Sequence, residues 1–297
     1  SSFQSWANWL QEYAQSEQLL AELPYWRSIV DPALPRLPID TPNSLQADTI
    51  DSAQTVTTIL SVAETQALLR EAPALYHTQI NDLLLTALAQ SFAAWSGNRS
   101  LLIALEGHGR EALNDRLDLS RTVGWFTSLF PVRLSLEGED VGSAIKGVKE
   151  QLRKIPQHGI GYGLLRYMNS RVGAELAQFP TAEVSFNYGG QFSAEKQIES
   201  LGDEQDGREA RHYRFNVNGL VMGEEMSFTW RYSPACYRHE TVEQLAQGFV
   251  NALRAIIAHC QSPEAGGYTP SDFPDIGDVD QTKLDNLLAA IDLGFEE

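Results

Sequence analysis

Cysteine is scarce in this 297-residue sequence, which contains only Cys236 and Cys260. The two form no CxxC pair and have no ligand cluster nearby, so the spacing indicates neither a disulfide framework nor a thiolate metal site. The pattern favours two reduced thiols in a cytoplasmic protein. Long apolar runs are also missing. Because no stretch approaches the roughly 18 apolar residues of a membrane span, no membrane association is predicted.

Basic residues are few. Lys and Arg number 22 against 39 Asp and Glu, which gives a formal net charge of −17 and a pI near 4.7. A nucleic-acid partner demands a basic face, so the charge balance argues against that class. The six histidines are scattered without an HExxH motif, and no GxSxG motif occurs. The hydrolase and metalloenzyme classes therefore gain no support, and no metal site is predicted.

Strand and helix patterns alternate along the chain. The runs TVTTILS, SLLIALEG, WFTSLFPVRLSL and TAEVSFNYGGQF predict strands. NDLLLTALAQSFAAWSG, residues 140–154 and TVEQLAQGFVNALRAIIAHC predict helices. YRFNVNGLVM and MSFTWRYS flank a Gly-Glu pair, which suggests a hairpin. This order predicts an α/β fold with a mixed sheet flanked by helices.

Proline-rich segments divide the chain into three predicted parts. Residues 1–50 are a helical segment and connector, 51–268 the main lobe, and 269–297 a linker with a short amphipathic helix. The apolar residues of that last helix recur on one face, at Leu284, Leu287, Leu288 and Ile291. The face can pack on the body or on a partner, and the sequence leaves both open.

The stretch EGHGRE concentrates titratable side chains at the end of an apolar strand, where α/β proteins carry functional loops. Glu106 can act as a general acid or base if burial raises its pKa, and His108 can do so near neutral pH. Arg110 can instead pair with Glu106 or Glu111 and make the group structural. Residue types alone leave both interpretations open.

Two other stretches are equally ambiguous. HGIGYG, at 158–163, is neither a GxGxxG motif nor a P-loop, so it is a flexible loop or a backbone that passes close to a substrate. In FNYGGQF, Asn187 and Tyr188 can donate hydrogen bonds to a ligand or simply precede a turn. Trp125 and Phe126 lie in a mostly apolar stretch, where such rings are more often core than a ligand platform.

The order of these stretches is more specific than any one of them. NDLLLTAL, EGHGRE, RTVGWFTSLFPV, PQHGIGYG and FNYGGQF resemble the successive motifs of epimerization domains of nonribosomal peptide synthetases. These belong to the condensation-domain superfamily, whose fold is related to chloramphenicol acetyltransferase. The resemblance covers nearly the whole chain, although the family more often has Leu where Gly189 stands. The signature HHxxxDG is absent, so the resemblance implies a C-terminal lobe only, inactive by itself or nearly so.

The resemblance also implies an activity. The family inverts the α-carbon of an aminoacyl or peptidyl thioester, which hangs on the 4′-phosphopantetheine of a carrier protein. The domain itself binds no cofactor. The residues that match the family's motifs are the catalytic set Glu106, Asn187 and Tyr188, the supporting set His108, Arg110 and Glu111, and the channel set Trp125, Gly159, Gly161, Tyr162 and Gly163.

The partners that this resemblance implies are a peptidyl carrier protein and the N-terminal half of the same domain. A neighbouring synthetase module could dock through residues 283–296. Two other functions stay open on the sequence. One is a condensation catalyst that forms an amide between two loaded carriers, and the other is a non-catalytic module that binds carrier proteins or other partners.

Overall fold

The structure, a computed structural model, describes residues 1–29, 34–42, 48–192, 206–277 and 279–294. The helices within these ranges are α1 (Phe3–Tyr13), α2 (Glu17–Leu20), α3 (Leu23–Ser28), α4 (Val62–Gln66), α5 (Ala72–Tyr76), α6 (Ile80–Ser96), α7 (Val141–Arg153), α8 (Ile160–Tyr167), α9 (Gly173–Leu176), α10 (His239–Cys260) and α11 (Gln281–Gly294). The strands there are β1 (Gln54–Leu60), β2 (Ser100–Gly107), β3 (Ser128–Ser135), β4 (Val184–Phe192), β5 (Phe215–Met222) and β6 (Glu225–Tyr232). No helix in this described part is both long and apolar enough to cross a membrane.

The strands form one mixed sheet in the order β1-β6-β5-β4-β2-β3. Strands β2 and β5 run parallel to β4, whereas the other neighbours are antiparallel. The predicted mixed sheet with flanking helices is therefore confirmed. The hairpin is confirmed as well, since β5 and β6 pair along their length and Gly223 and Glu224 join them.

Helices α6 and α10 lie on one face of the sheet and bury its alternate side chains. Ile103 of β2, Val217 of β5 and Trp230 of β6 are all 0% exposed on this side. Burial of such a side chain contributes about 1.5–3 kcal/mol, so this face holds the sheet in place. The other face of the four strands β4, β5, β6 and β1 is not buried. It presents mainly polar side chains, namely Ser185, Asn187, Asn216, Asn218, Ser227, Thr229, Thr55 and Thr57, together with the apolar Ile59, Leu220 and Met222.

The helical segment predicted within residues 1–50 is present as three short helices, α1, α2 and α3. Ser2 and Ser16 cap α1 and α2 by accepting hydrogen bonds from backbone N–H groups. Pro24 lies in the first turn of α3, where the missing N–H costs nothing. Trp26 of α3 is fully buried and anchors these helices to the body.

Residues 269–277, predicted as part of a linker, contact the main body. Thr269 is fully buried. The Lys149 ammonium of α7, itself 1% exposed, donates to both carboxylate oxygens of Asp272 at 2.6 and 2.7 Å. Tyr268 stacks on His77 with ring centroids 4.9 Å apart. This segment is therefore held by a buried ion pair as well as by packing.

Helix α11 contacts the body through only part of its apolar face. Leu284 is 2% exposed, Leu288 is half-buried and Leu287 is 49% exposed. The Ile291 side chain and residues 295–296, which belong to the predicted partner-binding helix, lie outside the described residues. Of the two alternatives for this helix, packing on the body accounts for Leu284.

Candidate functional site

Glu106 is the second-to-last residue of β2 and lies on the face opposite α6 and α10. Successive side chains of a strand alternate between faces, and Leu105 joins the core on the helical side. Leu102 and Ala104, on the same side as Glu106, are covered, but Glu106 itself is exposed. The burial that the sequence argument required for a perturbed general base is therefore not provided by the described residues.

Asn187 is the neighbour of Glu106 on the adjacent strand. Leu105 of β2 is in parallel register with Phe186 of β4, so the next residues on each strand share the opposite face. Neighbouring strands lie about 5 Å apart, which places these two side chains side by side. The fold thus brings together a carboxylate and a carboxamide that lie 81 positions apart in the sequence.

Tyr188 points away from Glu106 and Asn187. Its ring lies on the helical side, packed against the core, and the buried hydroxyl has no hydrogen-bond partner among the described residues. Burial raises the pKa of Tyr188. The three residues predicted as a catalytic set are thus split between the two faces of the sheet.

The loop after β2 turns sharply at Gly109, where φ is +66°. A Cβ atom at this position would lie 2.7 Å from the carbonyl carbon of Phe126, so only glycine fits. Arg110 donates to the Leu119 carbonyl at 2.5 Å and stacks over the Phe126 ring at 4.0 Å. Arg110 therefore supports the loop through these two contacts.

Glu111 joins this loop to the turn before α8. Its carboxylate, 9% exposed, lies 2.8 Å from Nδ1 of His158 and 3.4 Å from Nε2 of His108. His158 itself has a left-handed backbone, with φ of +51°. The contacts of Glu111 hold together two segments that lie 47 residues apart and so fix the backbone that follows Glu106.

The glycine-rich stretch at 158–163 forms a 3₁₀ turn and the start of α8, so the flexible-loop interpretation is wrong. Added Cβ atoms would overlap the Phe130 ring at Gly159 and lie 2.7 Å from the carboxyl carbon of Glu22 at Gly161, whereas Gly163 has open space. Tyr162 is 6% exposed and packs on Trp26. Two of the three glycines therefore serve close packing.

Trp125 is 82% exposed, contrary to the expectation that such a ring is core, whereas Phe126 beside it is 9% exposed. Phe126 packs in a small cluster with Trp6, Leu119 and Ile160. The stretch around Trp125 thus presents one large apolar ring to solvent in the loop that leads into β3.

Sequence reasoning missed two residues near Glu106. Tyr213 packs on Leu102 and Ala104, and its pKa is raised by burial and by the nearby charge of Glu106. Asn218 of β5 is in register with Asn187 and is exposed. The polar alternation in FNVNG was visible in the sequence, but which strand lies next to β5 depends on pairing that the sequence does not display.

Comparison with known proteins shows the family to which this chain belongs. The condensation domain family model matches residues 1–275, so the chain belongs to the condensation domain family. It is 43% identical over 97% of its length to one of the linear gramicidin synthase polypeptides of Brevibacillus parabrevis, and 43% identical over 98% to chondramide synthase cmdD of Chondromyces crocatus. It spans only 4% of the former protein and 8% of the latter.

A solved structure with the same fold carries a more specific description. The chain is 35% identical to the epimerization domain from the third module of tyrocidine synthetase B, with a TM-score of 0.80. The match covers 87% of this chain and 59% of that domain. The likeness extends to most of the described elements but leaves a large part of that domain without a counterpart in this sequence.

Proposed function

We propose that this chain is a C-terminal lobe of a nonribosomal peptide synthetase epimerization domain, which inverts the α-carbon of an aminoacyl or peptidyl thioester. The substrate hangs on the 4′-phosphopantetheine arm of a carrier protein. The adjacent placement of Glu106 and Asn187 on the open face of the sheet supports this proposal most directly. The motif order and the similarity to a solved epimerization domain support it independently.

The chemistry requires a proton to leave one side of the α-carbon and another to arrive on the opposite side. In this proposal the Glu106 carboxylate lies on one side and a histidine of the HHxxxDG half on the other, and either can serve as the base. When the C–H bond breaks, its electron pair delocalises to the thioester oxygen. Asn187 donates a hydrogen bond to that oxygen, where negative charge develops. Protonation from the opposite side forms the new C–H bond.

The remaining site residues take positioning roles. The proposal assigns His108, Arg110 and Glu111 to the loop that presents Glu106, in line with their contacts to His158 and the Leu119 carbonyl. Tyr188 holds β4 against the core from the side opposite to the substrate.

The proposed channel follows the loop and turn beside Glu106. Its exposed surface includes Trp125, and the backbone of 158–163 forms its wall. The partners are the carrier protein and the half that bears HHxxxDG, with a neighbouring module at residues 283–296.

Exchange of the α-proton for deuterium tests the proposal. The chain is mixed with a polypeptide that carries the HHxxxDG half, and mass uptake from heavy water is followed in an aminoacyl thioester on its carrier. Glu106→Gln keeps the size of the side chain but removes the carboxylate, and exchange is expected to fall at least ~100-fold. Glu224→Gln, in the exposed turn between β5 and β6, is the matched control and is expected to exchange at the wild-type rate.

The alternatives give different results. If exchange is absent but two loaded carriers yield an amide, the chain belongs to an amide-forming condensation catalyst. If neither reaction occurs and the carrier binds equally to wild type and Glu106→Gln, the chain is a binding module. Robust exchange by the chain alone would overturn the two-sided mechanism.

A further inference from the structure

Asn218 extends the pair formed by Glu106 and Asn187 into a row of three across the open face. Asn187 of β4 is paired with Asn218 of β5, and paired residues of neighbouring strands share a face. The row continues through Thr229 of β6 to Thr57 of β1. A line of polar side chains thus leads away from Glu106 at intervals of about 5 Å.

In the next row of this face, formed by Ser185 and Asn216, an asparagine carboxamide is hydrogen-bonded by other residues of the protein. Asn216 donates to the Ser185 hydroxyl at 2.8 Å and accepts from Arg211 at 3.0 Å. Asn187 and Asn218 occupy the same pair of strands one step further on, yet their side chains make no hydrogen bond to any described residue. Their donors and acceptors therefore remain available to a ligand.

Sheet stability does not account for this pair. Asparagine is among the residues depleted in strands, and β4 and β5 are the two central strands of this sheet. A solvated face could carry threonine or serine at these positions, as β1 and β6 do at Thr57 and Thr229. Two facing asparagines thus stabilise these strands less than threonine would, and ligand binding by their carboxamides accounts for their presence.

A carboxamide offers one acceptor and two N–H donors, which matches the C=O and N–H of a peptide bond. An extended chain advances about 3.3–3.6 Å per residue, and the strand of Asn218 lies about 10 Å from that of Glu106, two strand intervals away. A substrate with its α-carbon at Glu106 and its acyl chain across the sheet thus brings an upstream peptide bond to Asn218.

We infer that Asn218 binds a peptide bond upstream of the reacting residue and so selects peptidyl over aminoacyl thioesters. The inference rests on the proposed function and specifies the substrate class of the same site. An aminoacyl thioester ends before it reaches Asn218. Loss of this side chain therefore affects only the longer substrate.

Binding of unreactive analogues tests the inference without turnover. The dissociation constants of a tripeptidyl and an aminoacyl pantetheine amide are measured with the chain and the HHxxxDG half. Asn218→Ala and Asn218→Val remove the carboxamide, and the valine suits a strand. Each is expected to weaken the tripeptidyl analogue about 3- to 10-fold and leave the aminoacyl analogue unchanged. Thr57→Val, at the far end of the row, is the matched control and is expected to change neither.

Two results would overturn the inference: wild type binds both analogues equally, or its preference for the tripeptidyl analogue survives in both Asn218 variants. Failure of the proposed function is a separate result, because it appears as absent α-proton exchange or as an exchange rate that Glu106→Gln leaves unchanged. When exchange is present, kinetics add a second check. The Asn218 variants are expected to raise KM for the tripeptidyl thioester while kcat stays near wild type.

Discussion

Two glycines of α8 should respond in opposite ways to the same substitution. At Gly161, the second residue of the helix, an added Cβ would lie 2.7 Å from the carboxyl carbon of Glu22 and closer still to one of its oxygens. At Gly163, the fourth residue, the added Cβ meets nothing within 4 Å. Packing therefore requires a glycine at Gly161 but not at Gly163.

The magnitudes follow from these surroundings. Overpacking costs about 1–3 kcal/mol, and displacement of the Glu22 carboxylate breaks its 3.1 Å hydrogen bond from Trp26, which costs about 1 kcal/mol more. The higher helix propensity of alanine offsets up to about 1 kcal/mol of this loss. Gly161→Ala is thus expected to lose about 1–3 kcal/mol of unfolding free energy, while Gly163→Ala gains up to about 1 kcal/mol.

Urea denaturation followed by tryptophan fluorescence measures both changes. Glu22→Ala removes the side chain that packs above Gly161. Gly161→Ala should therefore lose less unfolding free energy when it is added to Glu22→Ala than when it is made in the wild-type chain. The packing argument would be refuted by a neutral Gly161→Ala, or by equal losses at the two glycines. If the double variant is stable but no longer exchanges the α-proton, the predicted role of Gly161 beside the substrate arm gains support.

Substitutions at Glu22, Lys149, Asp272 and Gly109 test the electrostatics and the loop. Burial raises the pKa of Glu22, so its charge destabilises the fold at high pH. Glu22→Gln should be more stable than wild type at pH 8 and lose that advantage by pH 4, as read from urea midpoints. Lys149→Met should lower the unfolding free energy by about 3 kcal/mol, because it leaves the Asp272 carboxylate without its cationic partner. The double variant Lys149→Met/Asp272→Asn should lose less. Burial opposes ionisation of Asp272, but hydrogen bonds from Lys149 and Thr269 hold its pKa below the ordinary 3.8. The pair's stabilisation is thus present above about pH 4 and lost as the pH falls further. Gly109→Ala should distort the loop after Glu106, and it should abolish α-proton exchange in the mixture while far-UV circular dichroism stays unchanged.

The sequence predicted the elements well where the apolar pattern was long. The helix predicted at 140–154 is Val141–Arg153, and the two alternating runs near 215 and 225 form the hairpin. WFTSLFPVRLSL was less accurate, because the strand begins only at Ser128. Trp125 remains exposed before it, since apolar composition alone does not say whether a ring faces the core.

The candidate site was predictable as a set of motifs but not as an arrangement. Glu106 and Asn187 were both identified, and alternation along β4 separates Asn187 from Tyr188. Asn218 was not identified, because its position beside Asn187 comes from the register of two strands that are distant in sequence. Gly161 was predicted to lie beside the substrate arm, and its packing against Glu22 depends on a contact that the sequence does not show.

Because Glu106 is exposed, any catalytic role for its carboxylate requires that another group excludes water from it. Among the described residues, Tyr213 packs against the cluster of Leu102, Ala104 and Ala182 on this face, whereas Glu106 is exposed. A solvated carboxylate is too weakly basic to take a proton from carbon efficiently, and removal from water strengthens it. In the proposed site, the groups that exclude water from Glu106 are the substrate, its carrier or the HHxxxDG half. Substrate binding then also makes Glu106 more basic, because it excludes water from the carboxylate. A Glu106 that remains solvated gives slow exchange even when it is correctly oriented. Addition of the HHxxxDG half should therefore increase the exchange rate even when that half carries no functional histidine, because it still excludes water from Glu106.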